Sequence, residues 1–282
     1  MPFTALHAYL AQLSDPARPG SSLWLNEQGQ AEGQFFNCVL TSAFQPICQV
    51  GGGAPAAYEA VVRNVAAGDA GLLLWRLLDH AASDDESIEL DRLCRMLHAI
   101  NFFRQPAAAD ADLFLSVHNR LLSSVSSNHG YAFKRILDAL ELPTSQVVLQ
   151  LPRVSGHQRW LLSYVTDNYK SNGFRMALTI NTPGEAPELI ARTRIAALNI
   201  DADAIGDDDA LARLLALTAE HGTRLVVRRV ETAQALVRLE AVSATLGLTV
   251  FAQGAALHAG GDASLAEAGA KVRPWSDGLA PN

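Results

Sequence analysis

Glu59 is the residue whose surroundings demand chemistry. It lies within Tyr58-Glu59-Ala60-Val61-Val62-Arg63, a run that otherwise reads as an apolar strand. A carboxylate there needs a partner, a metal ion or water, so Glu59 is expected near a strand end in a polar pocket. The run follows Phe44-Gln45-Pro46-Ile47 across Gly51-Gly52-Gly53. That glycine run lacks the Lys-Ser/Thr of a phosphate loop and reads as a turn. No HExxH or GxSxG occurs, so neither a zinc-peptidase helix nor a serine nucleophile elbow is encoded. Asp207-Asp208-Asp209 reads as acid at a helix start, where the dipole favours it, rather than as a metal site. His98 and His118 read as packed or solvent-exposed side chains. Trp75 and Trp160 read as helix-packing residues, with a partner surface as the alternative.

The elements that must position Glu59 follow from periodicity. Phe3 to Leu13 carries a helical stripe, stopped by Asp15-Pro16 and Pro19-Gly20. Leu23-Trp24-Leu25 and Phe35-Phe36 read as a hairpin or extended arm. Residues 1–39 are thus expected to form a helix and arm packed on a main domain of residues 40–282. Strands are expected at Phe44–Val50, Tyr58–Arg63, Leu113–Val117, Val147–Leu151, Met176–Ile180, Ala196–Ile200, Leu225–Val230 and Thr249–Ala252. Helices are expected between them at Gly71–Ala82, Leu90–Phe103, Tyr131–Leu140, Gln158–Ser171, Ala186–Arg192, Asp208–His221 and Thr232–Leu246. Pro187 suits a first helical turn, and Gly222 and Gly247 suit C-terminal caps. Eight strands alternating with helices argue for a parallel α/β protein. Periodicity does not separate a closed barrel from an open doubly wound sheet.

Composition narrows the function classes. The chain has 282 residues, 49% hydrophobic and 18% charged, with a net charge of −7. Without clustered cations, sequence-independent nucleic-acid binding is not expected. Cys38, Cys48 and Cys94 contain no CxxC spacing and read as reduced packing residues in a cytoplasmic protein. No secretory signal peptide and no membrane span are expected, since each apolar run meets a charge well short of about 18 residues.

The pair Phe44-Gln45-Pro46-Ile47 and Tyr58-Glu59-Ala60-Val61-Val62-Arg63 resembles the opening of the EAL domain, the phosphodiesterase family acting on the second messenger cyclic di-GMP. There the strands read roughly FQPI and YEALLR, and the EAL triplet is here Glu59-Ala60-Val61. The resemblance extends over roughly residues 40 to 260. It implies an α/β fold, a modified (β/α)8 TIM-type barrel with an antiparallel first strand. The short link between the first two strands agrees, because parallel neighbours need a long crossover. It also implies a bacterial, cytoplasmic signalling domain in which two divalent cations activate water for phosphodiester hydrolysis.

Against that pattern most metal ligands are replaced. Val148-Leu149-Gln150-Leu151-Pro152-Arg153 resembles VLEITE, with Gln150 and Arg153 in place of its acids. Ser116 stands where a ligand Asn belongs. Thr179-Ile180-Asn181-Thr182-Pro183-Gly184 replaces DDFGTG, and Asn199 replaces the Lys of KID. Val227-Arg228-Arg229-Val230-Glu231-Thr232 replaces AEGVET, with Arg228 for its first acid. Ala252-Gln253-Gly254 keeps the Gln-Gly of QGY, with Ala255 for the aromatic. Hard cations need oxygen ligands, so the expectation is an inactive relative with no catalytic residues, no bound metal and no cofactor.

The resemblance also assigns nucleotide-holding positions, matched here by Gln45, Arg63, Asp91 in Leu90-Asp91-Arg92, and Glu231. Glu59 and Gln253 complete the expected ligand site. Arg63 would pair with a phosphate, and Asp91 and Glu231 would accept from guanine edges. For Asp91 a cap or salt bridge within its helix is the alternative. Three functions stay open: a cyclic di-GMP receptor or effector without hydrolysis, a protein–protein regulator that no longer binds the nucleotide, and a weak phosphodiesterase. An unidentified protein partner is expected, and a homodimer is possible by analogy, although the loop through which active relatives pair is rewritten at Asn181–Gly184. With the metals gone, Arg228 is expected to meet Glu59; the rival arrangement turns Arg228 to solvent and bonds Glu59 to backbone or Asn199.

Overall fold

The computed structural model describes residues 3–13, 22–65, 83–117, 129–152 and 159–257. Its strands are β1 (Leu23–Leu25), β2 (Ala31–Phe35), β3 (Cys38–Gln49), β4 (Ala57–Asn64), β5 (Asp112–Ser116), β6 (Val147–Gln150), β7 (Arg175–Ile180), β8 (Ala197–Asp201), β9 (Arg224–Arg228) and β10 (Phe251–Ala252). The helices are α1 (Thr4–Leu13), α2 (Asp84–Phe103), α3 (His129–Ala139), α4 (Arg159–Ser171), α5 (Ala186–Arg192), α6 (Asp208–Glu220) and α7 (Ala233–Leu246). The expected helix at Gly71–Ala82, Trp75, His118 and Arg153 lie outside the described residues, as does the side chain of Trp160.

β3 to β10 close into an eight-stranded barrel. β4 through β10 run parallel in chain order, and β3 lies antiparallel between β10 and β4. This is the modified TIM-type barrel expected from the sequence. The reversal of β3 follows from its short link to β4. Gly51, Gly52 and Gly53 all have positive φ, which a glycine adopts without a Cβ clash.

β3 is twelve residues long and outruns its partners. Its early part pairs with β2 on the edge that β10 takes at Cys48 and Gln49. β1 and β2 therefore extend the sheet beyond the barrel at the mouth, the end where the parallel strands finish. Asn101 of α2 fixes this hairpin, accepting from the Ala31 amide at 2.7 Å and donating to its carbonyl at 2.8 Å. α2 starts with a capping box between Ser83 and Glu86. Asp207 caps α6 by accepting from Ala210, and Gly247 closes α7 with φ 63°.

Two cores result from the two faces of the strands. The larger packs the outer face of the barrel against the helices, with Leu97, Leu113, Leu149, Leu178, Leu198 and Val227 among its members. The smaller plugs the barrel and comprises Ile47, Ala57, Phe114, Val148, Ala177, Ala197 and Val226. Beneath the plug, Asp112 of β5 pairs with Arg175 of β7 at 2.7 Å and Arg224 of β9 at 2.5 Å. Layers built from alternate strands are the packing pattern of such barrels.

Candidate functional site

Above the plug the next layer comes from the even strands, and it is polar throughout. Glu59 of β4, Gln150 of β6, Asn199 of β8 and Gln253 just after β10 all point into the barrel and are buried. Gln150 Nε2 donates to Glu59 Oε1 at 2.7 Å, and Gln253 Nε2 donates to Glu59 Oε2 at 2.9 Å. Asn199 Nδ2 donates to Gln150 Oε1 at 2.7 Å. Gln45, opposite Glu59 in the β3–β4 pairing, receives a longer contact from Gln253 at 3.4 Å. The polarity of this chain is set by Glu59. A carboxylate only accepts, so each amide must turn its N–H2 toward it, and the Gln150 oxygen is left for Asn199.

The odd strands supply the rim. Ser116 is exposed and Thr179 half-buried. Arg228 closes β9 with its side chain 23% exposed, and its Nη2 lies 3.9 Å from Glu59 Oε2. The expected meeting of Arg228 and Glu59 is thus present as an ion pair at long range. Asn199 reaches Glu59 only through Gln150. Ile180 is fully buried in the outer core and offers nothing to the mouth.

β9 stops at Arg228, two residues before the expected end, because Arg229 takes φ 57°. A left-handed non-glycine residue is uncommon. Here it aims Arg229 Nη1 at Asp201, 3.7 Å from Oδ2. The segment beyond is tied to the last strand: Val230 donates to the Gln253 carbonyl and accepts from Ala256. A Cβ on Gly254 would fall 2.3 Å from the Val230 carbonyl oxygen. Only glycine fits after Gln253, which is a physical reason for the Gln-Gly pair.

The remaining expected positions lie around this layer rather than within it. Arg63 lies on the same face of β4 as Glu59, nearer the rim and half-buried. Glu231 is exposed just beyond β9. Asp91 is buried in α2 and pairs with Arg95 at 2.7 Å. Arg95 lies over the rings of Phe133 and Tyr169, 5.6 and 5.9 Å from their centroids. Burial pulls the Arg95 pKa down, but Asp91 and Tyr169 outweigh it and the net shift is upward. Asp91 thus takes part in the packing of α2 against α3 and α4. The Asp91–Arg95 spacing of four residues was the sequence signal for this pair.

The chain matches the EAL domain family over residues 30–253. It belongs to that family. Its barrel is similar to a standalone EAL protein from Vibrio cholerae solved with cyclic di-GMP, at TM-score 0.58 and 17% identity, covering 78% of this chain and 91% of that one. It is similar to the EAL domain of FimX from Xanthomonas citri in complex with cyclic di-GMP, at TM-score 0.60 and 16% identity, covering 76% and 85%. An EAL enzyme solved with cGMP bound aligns at TM-score 0.59 and 14% identity over 76% of this chain. The chain spans 60% of that enzyme's length. Among curated proteins, none matches the sequence.

An EAL phosphodiesterase of the two-metal kind requires oxygen ligands gathered at the mouth. In this EAL domain the groups facing Glu59 are two amide N–H2 donors and a guanidinium. Among the described residues no cluster of three or more His, Cys, Asp or Glu is gathered. The donor set therefore does not fit a pair of divalent ions. No helix among the described residues is long and apolar enough to cross a membrane.

Proposed function

We propose that this EAL domain recognises cyclic di-GMP without hydrolysing it and acts as a receptor or effector. The observation that carries the reading is the occupation of both Glu59 oxygens by Gln150 and Gln253. A carboxylate already accepting two hydrogen bonds, with a cation 3.9 Å away, has little to offer a divalent ion. The ligand class is supported by family membership and by the Vibrio and Xanthomonas domains solved with this nucleotide. Arg63 and Arg228 supply cations at the rim for its phosphodiesters.

Titration calorimetry with cyclic di-GMP in EDTA and again in Mg²⁺, with the cell contents analysed for linear product, tests this. Equal binding in both buffers and no product is the expected result. Product formation above that of a Glu59→Ala control returns the domain to the enzymes. Absence of heat in both buffers favours the protein–protein regulator. That second reading has its own observation in Phe36, 64% exposed at the tip of the β2–β3 hairpin.

A further inference from the structure

We propose that Arg228 anchors a phosphodiester anion in place of a metal ion, with Glu59 as its resting counterion. The proposal rests on the reading that the domain recognises cyclic di-GMP, and it adds how a site without metals would hold the charge.

The argument begins with unequal satisfaction of the two partners. Glu59 accepts at 2.7 Å from Gln150 and at 2.9 Å from Gln253, so each oxygen has a short hydrogen bond. Arg228 has none with Glu59. Its Nη2 stays 3.9 Å from Oε2, beyond the N–H···O range of about 2.7–3.2 Å. Its Nε is buried with no acceptor. Nε and Nη2 form the edge of a guanidinium that grips a carboxylate or phosphate through two parallel hydrogen bonds. In the mouth that edge is left open. An unanswered buried donor is costly, and an anionic oxygen from the rim side removes the cost.

The neighbouring cation is not equivalent. Arg229 is turned by its left-handed backbone to Asp201, 3.7 Å away. On the strand beside β9, Asn199 Oδ1 is a buried acceptor without a partner. A ligand completing the site therefore brings acceptor oxygens for Arg228 and a hydrogen-bond donor for Asn199. A cyclic dinucleotide carries both, with a ribose hydroxyl beside each phosphodiester. A divalent cation would instead be repelled by the guanidinium.

The test is cyclic di-GMP titration of the full chain in EDTA for the wild type, Arg228→Gln and Arg228→Lys, together with the Arg228 Nε–H resonance of the wild type. Expected are metal-independent binding, a loss of roughly 10–100-fold in Arg228→Gln, the scale of charged hydrogen bonds, and a similar loss in Arg228→Lys, which keeps charge without the fork. The Nε–H resonance should shift on saturation, which tests the contact even if a variant folds poorly. Wild-type binding that requires Mg²⁺, or an unmoved resonance with full affinity in Arg228→Gln, overturns the anchor and leaves recognition standing. No binding by the wild type in either buffer overturns both.

Discussion

Gln150 reaches across β5 to donate to Glu59 at 2.7 Å. β5 lies between their strands and offers only the short Ser116 at this height, so nothing blocks the span. The pair makes an acid-to-amide difference into a structural bond. A glutamate at 150 would face a second carboxylate where an N–H2 now stands.

Gln150→Glu should therefore destabilise the protein by about 1–3 kcal/mol near pH 8. The loss should shrink toward pH 5, as two close carboxylates come to share a proton. Urea unfolding of wild type and variant at both pH values measures it. A variant equally stable at both would mean that residue 150 does not face Glu59.

The Glu59–Arg228 pair should contribute little to stability. At 3.9 Å, beyond hydrogen-bond distance and with Arg228 partly exposed, it lacks the close geometry that makes a buried pair strong. A double-mutant cycle of Glu59→Gln and Arg228→Ala should give a coupling below about 1 kcal/mol. A coupling of several kcal/mol would mean a closed salt bridge in solution.

Asp91 should behave in the opposite way. Asp91→Ala leaves Arg95 charged among Phe133 and Tyr169, and should cost about 3–5 kcal/mol. Adding Arg95→Met should recover most of that, since the charge leaves with its partner. If Asp91→Ala lowers nucleotide affinity with unchanged unfolding, its carboxylate meets the ligand instead.

His98 sets an acid limit. It is buried beside Ser42, whose Oγ lies 2.8 Å from Nδ1, and burial pushes its pKa down to about 3. The unfolded chain takes up a proton near pH 6.5, and the folded chain does not until about pH 3. Stability from this residue is therefore complete above pH 6.5 and falls by about 1.4 kcal/mol per unit as pH drops below it. Unfolding midpoints between pH 7.5 and 5 should follow that slope in the wild type and flatten in His98→Gln.

Much of the barrel was legible because its signals are local. Pro187 opens α5, Gly247 closes α7, and the glycine run after Gln49 forces the reversal between β3 and β4. The end of β9 was not legible, because a left-handed arginine leaves no mark in an apolar pattern. The motif positions located Glu59, Gln150, Asn199 and Gln253, but not their bonding. That bonding depends on a layer drawn from every second strand, and no sequence separation reports it: Glu59 and Gln253 are 194 residues apart. Asp91 and Arg95 were the reverse case, a helical spacing visible in the chain whose burial only the packing of α2, α3 and α4 reveals.

The plug of Phe114, Val148, Val226 and their neighbours lies between two polar tiers. From Asp112 to Ser116 the strand rises roughly 13 Å, with the apolar tier in between. The Asp112–Arg175–Arg224 cluster is thereby insulated from events at the rim. Replacing one rim side chain need not disturb the cluster that closes the opposite end. A library varied only at Gln45, Ser116, Thr179 and Arg228, the odd-strand positions of the rim, would explore new chemistries on an unchanged chassis. In this barrel the capacity to acquire a different ligand is built into the stacking of its interior.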